Sequence, residues 1–244
     1  MLYGNAIQPY LNQSETLKQK IDTTSEVWIQ GQRNPTIKGV NLKLDQVLFR
    51  NLDVALFEGF GDTLTVDSVK TRTVKHVGTI APDLFQNKIL IIDYPKHRLC
   101  VVDELPKSYS KANFVDFKLK EGRIKIPFVI NNKERDLLFD TGSSLFTLFT
   151  SEANIKDVSD PSTAVSDSIE ISTWGNYYYV YGNEVVSDVK LGDKLMPNTT
   201  AFYTTLEDMT SFFDEEEIWG ITGNAYFLSN TVIIDYKNNR FGIE

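Results

Sequence analysis

Cysteine and histidine are almost absent from this chain of 244 residues, which holds one cysteine, Cys100, and two histidines, His76 and His97. A single thiol excludes an internal disulfide. Three scattered soft donors do not make a zinc set, so no metal and no zinc-assisted hydrolysis is expected. The same shortage removes the imidazole base that a serine nucleophile would need. Cys100 follows the apolar run Ile89-Leu90-Ile91-Ile92 and reads as a buried small hydrophobe rather than a nucleophile.

Positive charge is also scarce: 25 Lys and Arg against 33 Asp and Glu give a formal charge of −8. Phosphate binding needs clustered cations, so no nucleic-acid partner is expected. No apolar run approaches the roughly 20 residues of a membrane-spanning helix, and Leu2-Tyr3-Gly4-Asn5 after Met1 is not a basic-then-apolar signal region. Long helical periodicity is missing as well.

What is present is strand pattern, with 41% apolar and 12% aromatic residues to build a core. Val115, Phe117 and Leu119 alternate with polar residues, Glu121-Gly122 turns the chain, and Ile124, Ile126, Phe128 and Ile130 alternate again, which predicts a hairpin with one buried face. After Asn131-Asn132, the run Leu137-Leu138-Phe139 predicts a central strand ending at Asp140-Thr141-Gly142.

A repeat runs through the chain. Gly78 to Tyr94 matches Gly220 to Tyr236 without a gap at an offset of 220 − 78 = 142, pairing Phe85 with Phe227, Ile91-Ile92-Asp93-Tyr94 with Ile233-Ile234-Asp235-Tyr236, and Arg98 with Arg240. Weaker echoes set Lys43 to Phe57 against Lys190 to Tyr203, and Met1 to Ile7 against Thr147 to Ile155. Two copies are too few for a solenoid and predict a duplicated lobe. The polar segment from Asp103 to Asn113 has linker composition, which places lobes at 1–107 and 108–244.

Phe139-Asp140-Thr141-Gly142-Ser143-Ser144 is the motif with chemistry attached. Together with Trp219-Gly220-Ile221-Thr222-Gly223 and the closing segment from Val232 to Ile243, it resembles the aspartic proteases of the pepsin and retropepsin type. The resemblance implies a mainly β fold of two pseudo-symmetric lobes with a cleft between them and few short helices. It implies peptide hydrolysis by water activated between two aspartates, without a cofactor, on a peptide or protein substrate. Asp140 would be one catalytic aspartate. Thr141 would lock the motif loops together, Gly142 would let amides approach the carboxylate, Ser143 would hydrogen-bond it, and Gly223 would support the site. Two close carboxylates share a proton because both cannot easily ionise, so one aspartate alone is half a site.

Three departures stand against the family pattern. Thr79-Ile80-Ala81 replaces Ile221-Thr222-Gly223 in the first copy, Thr222 stands where the family has an apolar residue, and the first copy has no Asp-Thr-Gly. Its counterpart is expected before Met1, with an extracytoplasmic location if a signal also lies there. The other reading is a non-catalytic relative that keeps the cleft and binds peptide or protein. A monomer is expected, and a homodimer bringing two copies of Asp140 together is the alternative.

Other residues read as structural. Asp62-Thr63 lacks a following glycine and reads as a loop turn. The run Asp214-Glu215-Glu216-Glu217 lacks alternating cation ligands and reads as a solvated helix start or turn. Trp28 with Gly31, and Trp174 with Gly175, mark either hairpins over a cleft or ordinary aromatic packing.

Overall fold

The structure, a computed structural model, describes all residues except Gln30, Pro161, Thr163, Ala164, Trp174 and Gly175. The chain is mainly β, with several sheets and, among the described residues, four short α-helices. It divides into two compact units, Met1–Leu84 and Phe85–Glu244. No helix among the described residues is long and apolar enough to cross a membrane.

The first unit runs β1 (Leu2–Tyr3), α1 (Gly4–Asn12), α2 (Glu15–Lys18), β2 (Ile21–Ile29), β3 (Gln32–Leu44), β4 (Val47–Phe57) and α3 (Val66–Val69). Its sheet has the order β1-β4-β3-β2. The apolar face of α1 supplies Ile7 and Leu11, which pack with Ile37 of β3 and Leu56 of β4 into a small core. Asp62 is exposed in the loop after β4, as a turn residue should be, and Trp28 stands 66% exposed on β2.

The second unit holds β5 (Ile89–Asp93), β6 (Arg98–Val102), β7 (Asn113–Asp116), β8 (Lys118–Lys120), β9 (Arg123–Ile130), β10 (Lys133–Phe139), β11 (Leu148–Ser151), β12 (Asp167–Thr173) and β13 (Asn176–Glu184). It continues with β14 (Val189–Leu191), β15 (Lys194–Leu195), β16 (Thr200–Thr204), α4 (Glu207–Glu215), β17 (Gly220–Thr222), β18 (Thr231–Asp235) and β19 (Arg240–Ile243). One sheet has the order β12-β13-β16-β11-β17-β10-β9-β14-β15 with β8 on β9, and a second has the order β6-β5-β18-β19-β7.

Turn chemistry sets several registers. Asn131 and Asn132 both take positive φ, 47° and 61°, as a two-residue turn between β9 and β10 requires. Glu121 and Gly122 do the same between β8 and β9, at 50° and 77°. That hairpin is shorter than the alternation predicts. Only Lys118 to Lys120 returns along β9, because β7 leaves to pair with β19, and Leu119 is left 48% exposed.

The repeat is visible in local structure. Short 3-10 turns occupy Pro82–Phe85 and Asn224–Phe227, again 142 apart. His97 and Asn239 close their hairpins with φ of 51° and 52°. Asp93 accepts from the Lys96 amide and pairs with Arg98 at 3.2 Å, while Asp235 accepts from the Asn238 amide and pairs with Arg240 at 2.8 Å. A Cβ on Gly78 would come 2.4 Å from the Met1 carbonyl oxygen, and one on Gly220 would come 2.3 Å from that of Phe149.

Two expectations need correction. Cys100 is exposed, because among the described residues β6 ends its sheet and pairs on one side only, with β5. The acidic run ends α4 and forms the turn after it, as the turn reading has it, but it is not wholly solvated: Glu216 is buried beside Arg123 and Lys125.

A candidate aspartate site

β10 carries Asp140. Leu137, Leu138 and Phe139 are buried, and the strand is held on one side by β9 and on the other by β17, which runs parallel with Leu137, Leu138 and Phe139 opposite Gly220, Ile221 and Thr222. β17 is also antiparallel to β11, so it separates the strand that enters the motif from the strand that leaves it. The chain can turn out of the sheet at Asp140 because its amide donates to the Thr222 carbonyl at 3.0 Å, extending the pairing by one residue.

Beyond that point the loop folds on itself. The Gly142 amide donates to Asp140 Oδ1 at 2.8 Å, and the Ser143 amide donates to the Asp140 carbonyl at 3.1 Å. Asp140, Thr141 and Gly142 are exposed and Ser143 is half-buried. The hydrogen bond reaching the Asp140 carboxylate, among the described residues, comes from the Gly142 amide. The Ser143 hydroxyl makes no such bond, and Ser143 acts through its backbone.

Gly223 passes directly under this loop. A Cβ there would lie 1.8 Å from the Ser143 carbonyl oxygen and 2.9 Å from that of Phe146, so a side chain has no room. Its amide donates to the Phe146 carbonyl at 3.0 Å. Thr222, which departs from the family pattern, is fully buried, and its hydroxyl donates to the Thr147 carbonyl at 2.8 Å. A buried hydroxyl satisfied in this way costs little, so threonine is compatible with the position.

Two residues outside the expected set join the site. Asn224 Nδ2 donates to the Thr141 carbonyl at 2.8 Å, and the Tyr94 hydroxyl donates to Asn224 Oδ1 at 2.5 Å. Burial pushes the Tyr94 phenol up to about 12. The sequence held a signal for them: Tyr94 ends the first copy of Ile-Ile-Asp-Tyr, and Asn224 directly follows Gly223. A polar chain thus leads from β5 to the carbonyl next to Asp140.

An exposed carboxylate fixed by one amide at the end of a buried strand can accept a proton from a bound water. Among the described residues no cluster of three or more His, Cys, Asp or Glu could hold a metal. Trp174 and Gly175 lie outside the described residues.

No family model matches the chain, and no curated protein matches it. Among solved structures it is similar to the crystal structure of a retropepsin-like aspartic protease from Rickettsia conorii, with a TM-score of 0.34 and 13% identity over 55% of this chain and 91% of that one. This is a weak likeness.

Proposed function

We propose that this chain is the greater part of an aspartic endopeptidase, with lobes at 1–107 and 108–244 and Asp140 as one of two catalytic carboxylates. The observation that carries the reading is the Asp140 loop: a carboxylate bonded to the Gly142 amide at 2.8 Å, on a turn that crosses Gly223 too closely for a side chain. The second carboxylate would come from a first Asp-Thr-Gly segment N-terminal to Met1.

In such a pair one carboxyl group keeps a proton and the other is ionised. The ionised group takes a proton from water as the water oxygen attacks the scissile carbonyl carbon. The protonated group hydrogen-bonds the carbonyl oxygen as it gains charge. Collapse of the tetrahedral intermediate then returns a proton to the leaving amine. Each proton transfer assisted in this way contributes roughly 100- to 10,000-fold, so Asp140 alone would be a poor catalyst.

One observation favours a second reading, a peptide-binding relative without catalysis. Ala81 stands where the repeat aligns Gly223, and Gly223 leaves no space for a Cβ under the second motif loop. A first motif loop crossing Ala81 as tightly would meet its methyl group. Translation of the DNA upstream of the Met1 codon separates the readings: an in-frame apolar strand followed by Asp-Thr-Gly or Asp-Ser-Gly supports the enzyme, and a stop codon favours the binding protein. The extended chain should then cleave a mixed peptide library at acid pH, with cleavage abolished in Asp140→Asn.

A further inference from the structure

From Asp157 to Val189 the chain has no Lys, Arg or His, yet it holds Asp157, Asp160, Asp167, Glu170, Glu184 and Asp188 and the tyrosines 177, 178, 179 and 181. Most of this stretch is the antiparallel pair β12 and β13, whose residues from Ser168 to Ser172 and from Tyr177 to Tyr181 alternate between faces. Ile169, Ile171, Tyr178 and Val180 turn inward to the core. Tyr177 and Tyr179 turn outward, 71% and 57% exposed. In register, Ser172 lies opposite Tyr177, Glu170 opposite Tyr179 and Ser168 opposite Tyr181, and Tyr181 is followed across the sheet by Tyr203 with ring centroids 5.7 Å apart. Glu152 adds negative charge beside Tyr203. Asp157 is engaged by Arg135, but among the described residues Glu152, Glu170 and Glu184 make no salt bridge.

We propose that this outer face is a docking surface for an extended, Lys- or Arg-bearing segment of another polypeptide. Three observations favour that occupant. Exposed tyrosines in a row give flat π faces that attract cations. The charges placed at this face, Glu170 opposite Tyr179 and Glu152 beside Tyr203, are both negative, which steers cationic segments in and repels acidic ones. Among the described residues β12 ends its sheet with no strand on its outer edge, which leaves that edge able to take a further strand. A strand added there lies about 5 Å from β12 and about 10 Å from β13. A long cationic side chain opposite Glu170 therefore meets that carboxylate and reaches along it toward the Tyr179 ring.

The test is fluorescence anisotropy with the 244-residue chain and two labelled peptides, one alternating Lys with Thr and one alternating Glu with Thr. The Lys peptide should bind at least about tenfold more tightly than the Glu peptide, and about 0.5 M salt should weaken it several-fold. Tyr177→Ser with Tyr179→Ser should weaken it at least about fivefold, and Glu170→Lys at least about tenfold, both with wild-type melting. Equal binding of the two peptides overturns the proposal. So does undiminished affinity in the folded tyrosine variant, since net negative charge alone would then account for the binding. Should the tyrosine variant melt early, Glu170→Lys decides alone: unchanged affinity there overturns the proposal as well.

Discussion

Ile91 and Ile233 face each other across the antiparallel pair β5 and β18, and they are separated in sequence by 233 − 91 = 142, the offset of the repeat. The flanking pairs exchange under the same offset: Asp93 opposite Thr231 becomes Asp235 opposite Ile89. A local two-fold axis therefore passes between the two isoleucines, and the hairpins β5–β6 and β18–β19 are equivalent about it. The repeated segments meet in one sheet and share a core around Ile89, Ile91 and Ile233.

The equivalence makes Asp93 and Asp235 comparable in experiment. Burial alone would raise the Asp235 pKa, but bonds from Asn238 and Arg240 outweigh it and hold the carboxyl below its ordinary range; Lys96 and Arg98 do the same for Asp93. A depressed carboxyl pKa gives stability that is complete above about pH 4 and is lost as pH falls through the folded-state value. Asp235→Asn should lower stability at pH 7 by about 3 kcal/mol, because it leaves a partly buried Arg240 uncompensated. The variant should also flatten the acid limb of a stability–pH curve measured by urea unfolding. An unchanged acid limb would remove Asp235 as its source.

Gly223→Ala should destabilise by about 3 kcal/mol or more, because the new methyl would sit within bonding distance of a backbone carbonyl and the loop must move. Gly122→Ala is the control. Gly122 has φ of 77° with open space around it, so only left-handed strain, about 1 kcal/mol, is expected. Similar losses at the two positions, by thermal melting, would mean that the loop yields easily.

Glu216→Gln should cost about 3 kcal/mol, because it leaves the Lys125 ammonium, only 4% exposed, without its counter-charge. The double change Lys125→Met with Glu216→Leu should cost less than the single one. A double variant that is the less stable of the two would make the ion pair a net stabiliser.

The sequence carried the motif strand, the turns and the repeat because each rests on local chemistry: an apolar run before Asp140, φ-positive asparagines at 131 and 132, an unbroken offset. Solvent exposure of Cys100 was not legible, since it follows from β6 standing at a sheet edge, which is a property of pairing order. Burial of Glu216 was hidden for a similar reason. Its partners Arg123 and Lys125 lie about 90 residues away on β9, and nothing near an acidic run announces distant cations. Ser143 was expected to reach Asp140 through its hydroxyl, but the tight loop uses its amide on the Asp140 carbonyl instead.

The last prediction concerns the polar chain behind the Asp140 loop. Tyr94 donates to Asn224, and Asn224 donates to the Thr141 carbonyl, so removing the phenol oxygen leaves Asn224 Oδ1 without that donor and frees the amide to rotate. A single such bond contributes about 1 kcal/mol, which corresponds to roughly fivefold in a local opening equilibrium. Tyr94→Phe should therefore speed hydrogen exchange of the Gly142, Ser143 and Gly223 amides about fivefold while leaving amides of the β3–β4 hairpin unchanged. Asn224→Ala should do the same or more, and the two changes together should add little beyond the larger single effect, because both cut one chain. Since the Tyr94 phenol ionises only near about 12, the wild-type protection of these amides should show no step attributable to its loss between pH 5 and 9. Full additivity of the two substitutions would mean that they act on the loop separately, and the link from β5 to the aspartate would be broken.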